Sequence, residues 1–238
     1  MPIRLSERGY ARPELVAETD WLADRLSAPT VRVVDARSDE DYARGHVPGA
    51  VHIDGFSLGG LRAGSEMPEP EAFADLVGAL GIDEDTPVVV YDAGGPSQMA
   101  GMTAWTFLYY GHPDIRYLDG GLTKWTAEGL PLSDDAPAHE PRTFQARLVE
   151  GVYCSLDQAK ASVDDDGAIV WDVRSVGEFE GTKKGWNPPP RLGHLPGAIH
   201  LEHKELFDTD HGTLKPAAEL TTLLAAKGIT PQATVFTY

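Results

Sequence analysis

One sequence occurs twice in this chain, and the duplication constrains the fold more than any other feature. Residues 33–37 read Val-Val-Asp-Ala-Arg, and residues 45–52 read Gly-His-Val-Pro-Gly-Ala-Val-His. Residues 170–174 and 193–200 repeat them as Val-Trp-Asp-Val-Arg and Gly-His-Leu-Pro-Gly-Ala-Ile-His. Repeats this far apart indicate two duplicated domains rather than a solenoid of short units.

Short β-branched runs alternate with helical patterns along both halves. The runs that predict strands lie at 31–35, 51–53, 88–91, 115–118, 169–172 and 234–238. The patterns that predict helices lie at 13–26, 39–43, 70–80, 98–110, 156–162, 176–179 and 216–227. This alternation predicts an α/β fold of two tandem domains, each with a mainly parallel central sheet flanked by helices.

Domain boundaries follow from the repeat and from a change in composition. We expect the first domain to cover residues 1–131 and the second to cover residues 149–238. The segment 132–148 between them has mixed charges, prolines and no clear period, which is typical of a linker.

The charge of the chain limits the classes of partner. The formal net charge is −17, which disfavours binding to nucleic acid and to anionic membranes. No apolar run reaches the roughly 20 residues that span a bilayer, and residues 1–20 show no secretory signal. We therefore expect a soluble cytoplasmic protein whose anion sites are built locally from backbone amides and a few cations.

The repeat also serves as an alignment of the two halves. The pair Gly81-Ile82 aligns with Gly228-Ile229, and Tyr91 then aligns with Tyr238. About 40 residues follow Tyr91 in the first half and supply a loop, a helix, a strand and a second helix. We expect the second domain to be truncated before its corresponding loop, in a complete protein of about 280 residues.

The loop that follows Tyr91 has the composition of an anion cradle. Residues 92–97 leave a strand, contain two glycines and enter a helix, so that successive backbone N–H groups can face a bound anion. Such a loop lowers the pKa of a cysteine at its first position. That position is Asp92, which cannot carry sulfur, so we expect the first copy to be non-catalytic. The equivalent position in the second copy falls immediately after Tyr238.

Together these motifs resemble the tandem-domain rhodanese family, which includes thiosulfate and 3-mercaptopyruvate sulfurtransferases. The resemblance rests on Asp-x-Arg, Gly-His-x-Pro-Gly-Ala, the strand–loop–helix and the Gly-Gly-x-x-x-Trp of 120–125. It implies two rhodanese-like domains, an inactive loop position at Asp92 and a nucleophilic cysteine, cycling through a persulfide, directly after Tyr238. It further implies a small anionic sulfur donor and a thiol or cyanide acceptor, with no cofactor and no metal.

Three cations are candidates for binding the donor. Lys183, Lys184 and Arg191 lie in an insertion that the first half lacks. They are either a solvated loop or the positive charges that an anionic donor needs on an acidic protein. In mammalian-type family members a substrate-binding arginine occurs near the position that Glu178 occupies here.

Other polar residues have a structural and a catalytic interpretation. Asp172 and Arg174, with Asp35 and Arg37 in the first copy, are expected to support loops through charge-assisted hydrogen bonds. His194 belongs to the same support, and no spacing of cysteine or carboxylate makes a metal site with the repeated histidines. Cys154 precedes a helix, far in sequence from either loop, and is either a structural thiol or a nucleophile.

Two alternatives to a sulfurtransferase stay open. Neither loop of the chain contains a nucleophile, which is compatible with a non-catalytic rhodanese-like binding or regulatory module. Related folds with a slightly longer loop are cysteine phosphatases, and the length of the loop after Tyr238 would distinguish them.

Overall fold

The first half of the protein folds around a parallel sheet of five strands. In the computed structural model, residues 3–26, 31–58, 67–163, 167–185 and 191–238 are described. The spatial order is β1-β5-β4-β2-β3, and every paired neighbour runs parallel. The strands are β1 (Val16–Ala17), β2 (Arg32–Asp35), β3 (Val51–His52), β4 (Val88–Tyr91) and β5 (Ile115–Leu118).

Helices cover both faces of this sheet. They are α1 (Thr19–Ala23), α2 (Asp39–Ala43), α3 (Gly55–Leu58), α4 (Pro70–Ala79), α5 (Met99–Tyr109) and α6 (Gly121–Ala127). Phe73 and Phe107 pack on one face, whereas Leu22 and Trp125 pack on the other. Because β4 lies in the middle, all four of its residues are buried, as expected for a strand of a parallel sheet covered on both sides.

The second half repeats the inner part of this architecture. Its three parallel strands have the order β7-β6-β8, which corresponds to β3-β2-β4 of the first half. The elements are α7 (Leu156–Val163), β6 (Ala168–Asp172), α8 (Val176–Phe179), β7 (Ile199–His200), α9 (Ala217–Ala225) and β8 (Thr234–Thr237). Both halves therefore have the α/β fold predicted from the repeat. No helix in the described part of the chain is long and apolar enough to cross a bilayer.

The predicted helix over 13–26 is wrong. The segment instead forms a 3-10 turn at Pro13–Leu15, then strand β1, then the short helix α1. Val16 pairs with Tyr117 in parallel register, so β1 adds an edge strand to the sheet. The apolar spacing indicated a helix, but backbone pairing along the exposed edge of β5 outweighs that local preference.

The predicted linker lies along the first half. The amide of Ser133 donates to the carbonyl of His46 at 2.9 Å, and the amide of Arg142 donates to the carbonyl of Gly78 at 2.9 Å. A Cβ at Gly78 would lie 2.5 Å from the Arg142 carbonyl, so glycine permits this close approach. The boundaries at 131 and 149 stay predictions.

Candidate active site

Three side chains form a hydrogen-bonded frame where strands β2 and β4 end. Asp35 is fully buried and accepts hydrogen bonds from Arg37 Nε at 2.9 Å and Nη2 at 2.6 Å. The Tyr91 hydroxyl donates to Asp35 Oδ2 at 2.5 Å and accepts from the amide of Val47 at 3.0 Å. Arg37 also donates to the carbonyl of Gly45 at 2.7 Å. We call Asp35, Arg37 and Tyr91 the first strand-end frame.

The second half contains the same arrangement. Asp172 is fully buried and accepts from Arg174 Nε at 3.0 Å and Nη2 at 2.5 Å. The Tyr238 hydroxyl accepts from the amide of Leu195 at 2.9 Å and interacts electrostatically with the Asp172 carboxylate. Arg174 donates to the carbonyl of Gly193 at 2.9 Å. We call Asp172, Arg174 and Tyr238 the second strand-end frame.

The local sequence explains why the frames form. In Asp-x-Arg the backbone turns as the strand ends, and the amide of Arg174 donates to Asp172 Oδ1 at 3.0 Å. The neighbouring strand is parallel, so its tyrosine ends at the same edge of the sheet. Burial raises the pKa of Tyr91 and of Tyr238, so each hydroxyl keeps its proton and can donate to the carboxylate.

The repeated histidines bond to backbone carbonyls. His194 Nδ1 lies 2.8 Å from the carbonyl of Phe179, and the two rings stack at 3.8 Å. His46 likewise lies 3.1 Å from the carbonyl of Tyr42 and stacks on that ring. His46 is buried and also reaches the carbonyl of Asp135, whereas His194 is exposed. These contacts attach the Gly-His-x-Pro-Gly-Ala turn to the short helix before it.

In the first loop, which follows Tyr91, the side chain of Asp92 binds the loop's own amides. Asp92 is buried, and its Oδ1 and Oδ2 accept from the amides of Gly94 and Ala100, each at 2.8 Å. Ala100 lies in the first turn of α5, where amides otherwise have no helical partner. A Cβ at Gly94 would lie 2.0 Å from the carbonyl of Gly120, so the loop packs directly against α6. Because the Asp92 carboxylate already accepts from these two amides, a bound anion would have to displace it.

The comparisons with known proteins agree with this geometry. Residues 18–128 match the family model of the rhodanese-like domain. Over 97% of its length the chain is 35% identical to the sulfur carrier protein TtuD of Thermus thermophilus and covers 84% of that protein. It is 34% identical to a thiosulfate sulfurtransferase of Corynebacterium glutamicum, over 91% of this chain and 74% of that protein. The chain belongs to the rhodanese family of sulfurtransferases.

The fold comparison gives the same family. The solved structure of SseA from Escherichia coli, described as a 3-mercaptopyruvate sulfotransferase, is similar with a TM-score of 0.81 and 26% sequence identity. The match covers 94% of this chain and 87% of SseA, so it extends through both halves. The α/β fold expected from the rhodanese resemblance is confirmed.

The three cations of the predicted insertion lie on the surface. Lys183, Lys184 and Arg191 are exposed, and within the described ranges no acidic side chain pairs with them. Arg191 lies two residues before Gly193, whose carbonyl accepts from Arg174. The remainder of the predicted insertion, 186–190, lies outside the described residues.

Glu178, near which the resemblance to mammalian-type members predicts a substrate-binding arginine, caps a helix here. Its Oε2 accepts from the hydroxyl of Ser175 at 2.5 Å and from the amide of Ser175 at 3.3 Å. This is a capping box at the start of α8. A carboxylate in this position stabilises the helix and adds no positive charge for a donor.

Cys154 lacks the surroundings of a nucleophile. The thiol is partly buried, and burial raises its pKa. Its one described polar contact is the carbonyl of Ser155, 3.4 Å from Sγ. A reactive thiolate needs positive charge or amide donors, which lower the pKa.

Sequence reasoning missed the role of the two tyrosines. Tyr91 and Tyr238 were recognised as matching strand ends, but their hydroxyls were not assigned to the frames. The available signal was that a tyrosine, rather than an aliphatic residue, follows a β-branched run at the same repeat position twice. A buried hydroxyl needs hydrogen-bond partners, and the aspartate at the end of the adjacent strand is one.

Acid is expected to weaken the second frame. Burial alone would raise the pKa of Asp172, but hydrogen bonds from Arg174 and Tyr238 outweigh it and hold the pKa below its ordinary value. This stabilisation is full above the unfolded-state pKa of about 3.9 and is lost as the pH falls through the lower folded-state pKa. Urea unfolding between pH 6 and about 2, compared with Asp172→Asn, measures it. Identical pH dependence of the two proteins below about pH 4 would contradict the assignment.

Proposed function

We propose that this protein transfers sulfane sulfur from thiosulfate or 3-mercaptopyruvate to cyanide or a thiol, through a persulfide on a cysteine immediately after Tyr238. The main support is the second strand-end frame, which repeats the contacts of the first at the end of β8. The position after Tyr91 in the first frame begins the amide-rich loop. The equivalent position after Tyr238 would therefore begin the loop that activates a cysteine.

In the proposed reaction the thiolate attacks the outer sulfur of thiosulfate. The S–S bond of the donor breaks, sulfite leaves with the electron pair, and the enzyme holds a persulfide. Cyanide or a thiolate then attacks the outer sulfur of the persulfide, and the enzyme thiolate leaves. This is covalent double displacement, in which loop amides stabilise the negative charge on sulfur.

The residues outside the loop would have supporting roles. Asp172 and Arg174 would hold the strand end, and His194 would fix the turn whose Leu195 amide bonds to Tyr238. Lys183, Lys184 and Arg191 would give a small anionic donor a local positive potential against the net charge of −17. Residues 1–131 would form the non-catalytic domain, 132–148 the linker and 149–238 the C-terminal domain.

Two measurements on the protein extended beyond Tyr238 test this proposal. With thiosulfate and cyanide as substrates, we expect ping-pong kinetics, and with thiosulfate alone we expect a mass gain of one sulfur atom. Changing the cysteine after Tyr238 to serine should abolish both, whereas Cys154→Ser should leave both intact. The proposal fails if the first variant keeps its activity, if Cys154→Ser loses it, or if no transfer occurs. Absence of transfer would favour a binding module.

A further inference from the structure

A buried ion pair lies outside both strand-end frames. Arg8 follows the 3-10 turn Leu5–Glu7, and Asp119 follows strand β5. Arg8 Nη1 and Asp119 Oδ2 are 2.5 Å apart, and both side chains are only 2% exposed. Removing water from two charges is unfavourable, so a pair buried this deeply needs further hydrogen bonds to complete it.

Those hydrogen bonds come from the second half of the chain. The amide of Leu214 donates to Asp119 Oδ1 at 2.8 Å, and Arg8 Nη1 donates to the carbonyl of Leu214 at 3.1 Å. The amide of Ala217, at the start of α9, donates to the carbonyl of Arg8 at 2.8 Å. Leu214, in the second half, thus donates its N–H to Asp119 and accepts at its C=O from Arg8, and both charged residues belong to the first half.

Tyr10 extends this attachment by one residue. Its hydroxyl donates to the carbonyl of Lys215 at 2.7 Å. The two sheets share no strand, so the orientation of the halves depends on contacts between their surfaces. We call Arg8 and Asp119, with the backbone of Leu214 between them, the interdomain clamp.

A cleft between the halves is lined by residues that lie close in sequence to the clamp, Gly120 after Asp119 and Gly212 before Leu214. Just before Leu214 the chain makes a tight turn, in which the amide of Asp208 donates to the carbonyl of Thr213 at 2.7 Å. The turn meets the first loop, since a Cβ at Gly212 would lie 3.1 Å from Cα of Gly95. A cavity of about 400 Å³ lies between the turn and this loop.

A second contact links the same loop to the second frame. His203 Nε2 lies 2.9 Å from the carbonyl of Pro96, and its Nδ1 lies 3.1 Å from the carbonyl of Val173. The amide of Val173 in turn donates to the carbonyl of Tyr238 at 3.2 Å. A change in the angle between the halves would therefore be transmitted to the strand end that precedes the expected nucleophile.

We propose that Arg8 and Asp119 are positioning residues that set the orientation of the two halves and thereby the fit of the sulfur donor. The structural part of this inference stands alone, and the part concerning the donor rests on the proposed function. Neither residue touches the reacting atoms, so the clamp should affect how well the donor is held more than the rate of the chemical step.

Hydrogen exchange tests the clamp without any reference to activity. In Arg8→Gln and Asp119→Asn the amides of Leu214 and Ala217 should exchange at least about tenfold faster, while those of β2 and β4 stay within about twofold of the parent protein. Arg4→Gln is the matched control, because Arg4 lies in the same segment but pairs with Asp20 at 3.3 Å on the surface. Unchanged exchange at Leu214 and Ala217 would overturn the proposal.

Kinetics separate positioning from simple stabilisation. At a temperature where every variant is folded, the KM for thiosulfate should rise about three- to tenfold in Arg8→Gln, with kcat within about threefold. Arg8→Lys keeps the positive charge but not the planar guanidinium, so its KM should lie between those of the parent protein and Arg8→Gln. This comparison does not require Asp119→Asn to fold. If the amides of Leu214 and Ala217 exchange faster but the KM for thiosulfate is unchanged, Arg8 and Asp119 do not position the donor. If the parent protein transfers no sulfur, the proposed function fails and the exchange result decides the clamp.

Discussion

Asp172→Asn should reduce sulfur transfer at least about tenfold and destabilise the second half by about 2 kcal/mol. The carboxylate is fully buried and accepts hydrogen bonds from the amide, Nε and Nη2 of Arg174, so an amide side chain in its place leaves the guanidinium without its counter-charge. Breaking a fully buried ion pair costs about 3–5 kcal/mol. The value here is smaller because Arg174 is 23% exposed and water can partly replace the lost partner.

The duplication supplies a matched control for this variant. Asp35→Asn breaks the same contacts in the first frame, with Arg37 and Tyr91 in place of Arg174 and Tyr238. We expect a similar loss of stability but transfer within about twofold of the parent protein, measured where both variants are folded. Equal losses of transfer in the two variants would mean that the frames act only through global stability.

Asp92→Ala should destabilise the first half by about 2–4 kcal/mol and leave the kcat of transfer unchanged. The substitution removes the acceptor for the amides of Gly94 and Ala100. A buried donor left unsatisfied costs about 1–3 kcal/mol, and the Gly94 amide should cost only about 1 kcal/mol because it is partly buried and water can reach it. Thermal or urea unfolding measures the first effect, and steady-state kinetics with thiosulfate and cyanide measure the second.

Ser38, which accepts a single amide hydrogen bond in the same half, provides the comparison for the stability effect of Asp92→Ala. Ser38 caps α2 by accepting from the amide of Asp41 at 3.2 Å on the surface, and Ser38→Ala should cost only about 1 kcal/mol. A loss of transfer in folded Asp92→Ala would place catalysis in the first half and overturn the assignment of the two loops.

The loop of the first half is closed by the residue that begins it. In the first half, Asp92 satisfies with its own carboxylate the amides that would otherwise face a ligand. The strand-end frame beneath it has nevertheless kept its contacts. The frame therefore serves the fold in both halves, and under the proposed function the chemistry would depend on the residue that follows the tyrosine.

Local sequence predicted several elements with their observed limits. Strands β4 and β5 and helix α8 begin and end where the pattern indicated. Each is short and bounded by polar, glycine or proline residues, so local preference and tertiary environment agree. The segment 13–26 was mispredicted because strand β1 exists only through its pairing with Tyr117 and Leu118, about 100 residues away.

By itself, the sequence determined the duplication, the α/β class and the alignment that places Asp92 opposite the position after Tyr238. These follow from the order and spacing of residue types along the chain, which need no knowledge of what lies close in space. Only the tertiary structure decided that Tyr91 and Tyr238 complete the frames, that Asp92 fills its own loop, and that Arg8 and Asp119 hold Leu214. Each of these depends on burial and on donors from distant segments, which no local pattern records.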